Sequence, residues 1–130
     1  MQIEAVDHIG IRVSDEQRAV AFYAQFGFRV VFRQPSAAVT ILRNDTNVEI
    51  NLITNGRGDF DGKNVLMDVP EKHPGYTHVA LRVTSIEATV RALAELNITI
   101  TEGPVQLGPG LSLFIRDPDA NVIELREPRH

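Results

Sequence analysis

The sequence predicts an α+β fold: two βαβββ modules forming a curved eight-stranded mixed sheet, with the helices outside. Three observations lead there. The phrase Asp7-His8-Ile9-Gly10-Ile11-Arg12-Val13 returns as Thr77-His78-Val79-Ala80-Leu81-Arg82-Val83, 70 residues later in a chain of 130. The correspondence continues without gaps through Val20 and Val90, Phe26 and Leu96, Phe28 and Ile98, and Val30 and Ile100. Each half also carries the hydrophobic periods of a strand, a helix and three further strands.

In the first half, residues 5–13 alternate as a half-buried strand does. Ser14 with Gln17 three positions on forms a capping-box pattern for a helix start. Ala19, Val20, Phe22, Tyr23 and Phe26 recur at helical spacing, and Gly27 is placed to end the helix. Strands are expected near 28–34, 37–43 and 46–54, with turns at Pro35-Ser36 and Asn44-Asp45. In the second half the opening strand is 76–83, and Thr84 with Glu87 repeats the capping box. Ile86, Val90, Leu93 and Leu96 form the apolar stripe, and Asn97 stands where the first half has Gly27. Strands are expected near 98–106, 111–116 and 121–127, with turns at Gly108-Pro109-Gly110 and Asp117-Pro118-Asp119.

A chain of this length is expected to be one domain, 1–130, made of modules at about 1–54 and 76–130. The joining stretch, 55–75, is rich in Gly, Asp and Pro and longer than an ordinary connector. Its Val65, Leu66, Met67 and Val69 are apolar enough to act as a lid or to plug the edge of the core. The net charge of −4 argues against a nucleic-acid partner. No apolar run reaches membrane length, and the first residues lack the pattern of a signal peptide. The absence of cysteine excludes disulfides, thiolate ligands and a cysteine nucleophile. A soluble, cytoplasmic protein is the expectation.

Strand parity selects candidate site residues. If Ile9, Ile11 and Val13 pack on the helix, His8, Gly10 and Arg12 face the other way, into the cup of the curved sheet. The same reasoning turns His78, Ala80 and Arg82 into the cup. In the last strand Ile123 and Leu125 face the helix and Glu124 faces the cup. Its first-half counterpart, Ile50-Asn51-Leu52, puts Glu49 and Asn51 in the cup, with Asn51 in the place of Glu124. Two imidazoles and a carboxylate with open positions describe a metal site suited to Fe(II), which also accepts Mn, Co, Ni or Zn. The alternative is a metal-free pocket that uses the same residues for hydrogen bonding.

The phrases Asp7-His8-Ile9 with Phe22-Tyr23, Thr77-His78-Val79-Ala80-Leu81, and the run from Phe114 to Leu125 resemble the vicinal oxygen chelate superfamily. That superfamily includes glyoxalase I, bleomycin-resistance proteins and extradiol dioxygenases. The resemblance covers nearly the whole chain. It implies paired βαβββ modules, a divalent metal held by His8, His78 and Glu124, a small-molecule substrate that chelates the metal through adjacent oxygens, and a homodimer. In many small members the site lies where two chains meet, which would draw His8 from one subunit and His78 with Glu124 from the other.

The resemblance also has a gap. Glyoxalase I has a fourth ligand, a glutamate that takes part in proton transfer, where this chain has Asn51; an amide is no general base. Glu49, two residues earlier with the same parity, is the alternative fourth ligand. The three-ligand pattern therefore leans toward ring-cleaving dioxygenase-like chemistry. A lactoylglutathione-lyase-type isomerase and a metal-free binding or resistance module are the alternatives. Arg12 falls where glyoxalase I has an arginine near the glutathione carboxylate, and Arg82 repeats it, so both are candidates for clamping an anionic substrate group. His73, in the long loop, is the spare candidate for an acid or base.

Overall fold

The computed structural model describes residues 1–58 and 60–129. Asp59, inside the expected loop, and His130, a tail residue, lie outside the described residues. The chain divides into two compact units, Met1–Asp61 and Gly62–His130, and each repeats the order βαβββ.

The first unit contains β1 (Ile9–Arg12), α1 (Glu16–Ala24), β2 (Arg29–Gln34), β3 (Val39–Arg43) and β4 (Glu49–Ile53), with a short 3-10 turn at Pro35–Ala37. The second contains β5 (His78–Arg82), α2 (Ile86–Glu95), β6 (Glu102–Gln106), β7 (Gly110–Arg116) and β8 (Val122–Pro128). The eight strands are held as two four-stranded mixed sheets, one per unit, ordered β1-β4-β3-β2 and β5-β8-β7-β6. In each, the first strand runs parallel to the last, and the remaining pairs are antiparallel.

The apolar residues fix which face of each sheet meets its helix. Ile11, Val13, Leu42, Ile50 and Leu52 are buried with Ala19 and Tyr23 of α1. Leu113, Ile115, Ile123 and Leu125 are buried with Ile86 and Leu93 of α2. The alternation expected along β1, β4 and β5 is the observed one, whereas β8 is buried continuously from Val122 to Leu125, Glu124 included. Thr40 is the polar exception on the helix side: its hydroxyl donates to Glu16 Oε1 at 2.9 Å, and Arg33 Nε donates to the same oxygen at 2.7 Å. These two bonds hold the Glu16 carboxyl below its ordinary pKa, Arg33 contributing most.

Several element ends differ from the expected ones, β6 among them, which begins at Glu102 and not near residue 98. The first strand begins at Ile9, not at residue 5, because its ladder with β4 opens at the pair Ile9–Ile50. Residues before it are exposed, Ile3 at 84% and Val6 at 83%. Both helices start one residue late. Asp15 caps α1 by accepting from the Arg18 amide at 2.9 Å, and Ser85 caps α2 by accepting from the Ala88 amide at 3.1 Å. Ser14 instead accepts from the Arg18 guanidinium at 3.1 Å. The helix ends match the reading: Gly27 (φ +88°) and Asn97 (φ +57°) occupy equivalent left-handed positions.

The 55–75 stretch carries turns and bends but no helix or strand among its described residues, yet it is tied down at several points. The Gly56 amide donates to Val13 O at 2.9 Å, so close that a Cβ at Gly56 would lie 2.8 Å from that oxygen. Within the second unit, Asn64 Oδ1 accepts from the amides of Leu66 and Met67, and Asn64 Nδ2 donates to Ala120 O at 3.2 Å. Arg116 binds both carboxylate oxygens of Asp68, at 2.7 and 3.0 Å. The Arg116 guanidinium, helped by the Asn64 amide, lowers the Asp68 pKa to about 2. Among the described residues, no helix is long and apolar enough to cross a membrane.

Candidate functional site

The face of each sheet opposite its helix carries the residues selected by parity. In the first unit, His8 stands immediately before β1. Because Ile9 pairs with Ile50, the residue alongside His8 is Glu49, at the start of β4. Ligand atoms of Asp7, His8 and Glu49 all lie within 4.8 Å of one another, a combination able to hold a metal ion. Asp7 Oδ2 sits 2.7 Å from His8 Nδ1. An ionised carboxylate only accepts, so Nδ1 carries a proton, and in the neutral imidazole Nε2 is the nitrogen with the lone pair. Asp7 was not singled out in the sequence; its place beside a histidine on a strand edge is the signal that would have found it.

Glu49 is already engaged: Arg43 Nη2 donates to its Oε1 at 2.7 Å. Asn51 pairs with Gly10 on one side and Ile41 on the other. Its Oδ1 is buried and has no hydrogen-bond donor among the described residues. Arg12 is exposed at the end of β1, and its Nε donates to Asn55 Oδ1 at 3.1 Å.

The second unit brings His78 and Glu124 together. Nε2 of His78 on β5 lies 3.0 Å from Oε1 of Glu124 on β8. The parallel ladder makes this contact, since His78 aligns with Val122 and Ala80 with Glu124. The small Ala80 leaves the histidine room to lean toward the carboxylate. Thr77 Oγ1 lies 2.9 Å from His78 Nδ1, so the residue preceding the histidine engages Nδ1 in both units. The Phe114 ring packs edge-on against His78, with centroids 5.7 Å apart. Glu124 is 8% exposed, and its second oxygen accepts from Ser112 Oγ at 2.7 Å.

Ser112 and Arg126 are the polar members of this cluster that the sequence reading missed. A serine between Leu111 and Leu113 is visible in the sequence, but only the structure shows that, paired with Arg126, it also reaches diagonally to Glu124. Arg82 is exposed and aligned with Arg126. His73 is largely solvated, with Nε2 3.9 Å from Glu71 Oε2. The Asp117 turn that leads into β8 is held by its carboxylate, Oδ1 accepting from the amides of Asp119 and Asn121 at 2.9 Å each.

The arrangement suits a divalent cation. An imidazole and a buried carboxylate 3.0 Å apart, hydrogen-bonded here, are the donor types that would hold such an ion. At His78 the Glu124 carboxylate takes the Nε2 proton, which a bound cation would displace; the His8 tautomer set by Asp7 and the Asn51 amide oxygen, which has no donor among the described residues, also fit a cation or a donor group of a ligand.

Comparison with known proteins matches the same stretch. The model of the "Glyoxalase/Bleomycin resistance protein/Dioxygenase superfamily" aligns with residues 5–125. A glyoxalase domain-containing protein, RDO1, of Mycosarcoma maydis is 33% identical over 96% of this chain and 69% of its own length. A lactoylglutathione lyase of Haemophilus influenzae is 29% identical over 92% of this chain and 90% of its own. Among solved structures, TnmS3, an antibiotic binding protein from Streptomyces sp. CB03234, superposes with a TM-score of 0.72. It shares 25% identity, with 98% of each chain covered. The chain belongs to the glyoxalase/bleomycin resistance protein/dioxygenase superfamily.

Proposed function

We propose that this chain is a metal-dependent enzyme in which His8, His78 and Glu124 are the metal ligands and a small oxygenated molecule is the substrate. The observation that carries the reading is the 3.0 Å approach of His78 Nε2 to Glu124 Oε1, a buried carboxylate beside an imidazole. A two-histidine, one-carboxylate set suits Fe(II), with Mn, Co, Ni or Zn as substitutes. Such an ion would supply positive charge and open positions for two adjacent substrate oxygens.

The protein's own groups set the rest. Asp7 holds His8 in the tautomer that presents Nε2. Arg12 and Arg82, exposed at the ends of β1 and β5, would bind an anionic substrate group. Asn51 offers an oxygen or an amide hydrogen but cannot accept a proton as a base. Glu49 is neutralised by Arg43, which leaves it a poor candidate for a fourth ligand. These features favour ring-cleaving dioxygenase-like chemistry, with His73 as the spare acid or base. The homodimer that superfamily members often form belongs to the same proposal.

Two other readings each have an observation behind them. Similarity to a lactoylglutathione lyase favours a glyoxalase-type isomerisation. Similarity to an antibiotic binding protein favours a metal-free sequestering module. The test is a pair of assays on purified protein: oxygen uptake with catechol under Fe(II), and hemithioacetal isomerisation under Ni(II) or Zn(II). Oxygen uptake is expected. Isomerisation alone would replace the dioxygenase reading with the lyase one, and failure to bind any of these metals would leave the sequestering module.

A further inference from the structure

Glu124 is held from behind, and the hold is absent where the repeat has Asn51. We infer that Ser112 and Arg126 are positioning residues that occupy Glu124 Oε2 and leave Oε1 as the single oxygen presented beside His78. The inference rests on the reading of Glu124 as a metal ligand.

Ser112 is 0% exposed, and its Oγ donates to Glu124 Oε2 at 2.7 Å. A hydroxyl has one proton to give, so its lone pairs face the next group, Arg126, whose Nη1 donates to Ser112 Oγ at 3.0 Å. Arg126 Nη1 is also 3.9 Å from Oε2. The chain of bonds therefore runs in one direction, from guanidinium to hydroxyl to carboxylate, and each bond strengthens the next. Gly110 leaves the guanidinium its place: a Cβ there would lie 2.8 Å from Arg126 Nη2 and 3.0 Å from Cζ.

The register shows that these supports go with the charge. On β7 and β8, Ser112 pairs with Arg126 and Phe114 with Glu124. At the matching places on β3 and β4, Val39 pairs with Ile53 and Ile41 with Asn51. Where the carboxylate becomes a neutral amide, both supports become aliphatic, and the amide oxygen has no donor among the described residues. Packing alone is met by Val39 and Ile53 in the first unit. The hydroxyl and guanidinium of the second unit add what only an anion requires.

The test measures Co(II) affinity by chelator competition, together with the visible absorption of bound Co(II). Five proteins are compared: the full chain and its Glu124→Gln, Ser112→Ala, Ser112→Thr and Arg126→Gln variants. Glu124→Gln removes binding. Ser112→Ala and Arg126→Gln each weaken it by about 10- to 100-fold and alter the absorption, because Glu124 can then turn or bind through both oxygens. Ser112→Thr keeps the hydroxyl and restores both affinity and spectrum. Arg126 is half-buried and its variant tests the relay even if the buried Ser112→Ala protein does not fold. If Glu124→Gln loses Co(II) while Ser112→Ala and Arg126→Gln keep wild-type affinity and spectrum, the positioning role is wrong and the ligand reading stands. If the wild-type chain binds no Co(II), or Glu124→Gln binds as wild type does, the ligand reading falls and takes this inference with it.

Discussion

His8 and His78 occupy the same place in the repeat, but their surroundings differ in ways that only coordinates reveal. Parity was enough to put both histidines, Glu124, Glu49 and Asn51 on the face opposite the helices, since a period of two and a buried aliphatic pair leave no other choice. Partners across strands were not legible, because they depend on register: Glu49 meets Arg43, and Glu124 meets Ser112. Because Glu49 is engaged by Arg43 and neither binds the metal nor holds a ligand in this reading, Glu49→Gln is expected to change metal affinity by less than about tenfold, below the loss from a residue that supports a ligand. Isothermal titration with Mn(II) checks this, and loss of all binding would make Glu49 a ligand. Asp68 gives a second residue-level expectation. Its pKa lies at about 2, below the ordinary value of 3.8, chiefly through Arg116. A lowered pKa means the pair stabilises the fold fully above about pH 4 and stops doing so as pH falls toward 2. Chemical denaturation across that interval should show a shallower pH dependence in Asp68→Asn than in the wild type; equal slopes would remove the pair from the account.

Helices and strands were recovered in kind and order, and the errors lie at their ends. Ser14 and Asp15 both cap well by composition, as do Thr84 and Ser85, so the choice turned on where the backbone leaves the strand. The structure uses the second of each pair. Asp15→Ala and Ser85→Ala should each cost about 1 kcal/mol in urea unfolding, while Ser14→Ala and Thr84→Ala should cost less. The reverse ranking would return the caps to the capping-box positions. The 55–75 loop shows only as a lid or a plug in the sequence, because a long Gly-, Asp- and Pro-rich stretch has no period to read. Its ties through Asn64 and Asp68 rest on Ala120 and Arg116, about fifty residues further along the chain, and no local pattern announces such contacts.

For the whole molecule, duplication explains the architecture and asymmetry explains the chemistry. Two βαβββ units follow from a 70-residue repeat of strand, helix and three strands, each with its own buried apolar core. Selection of a metal-binding reading follows from the places where the halves part: Glu124 against Asn51, Ser112 and Arg126 against Val39 and Ile53. Family membership was legible because those strand phrases are contiguous in the sequence; the reaction was not, because the residues that distinguish reactions are single side chains on separate strands. The central claim is that His78 and Glu124 bind a divalent metal. Its most direct measurement is Fe(II) and Mn(II) titration of the purified chain, followed by calorimetry and thermal melting, alongside His78→Ala and Glu124→Gln. The account predicts saturable binding that raises the melting temperature of the wild type, with both effects lost in each variant. Wild-type binding that survives in both variants, or no binding by the wild type, would contradict it.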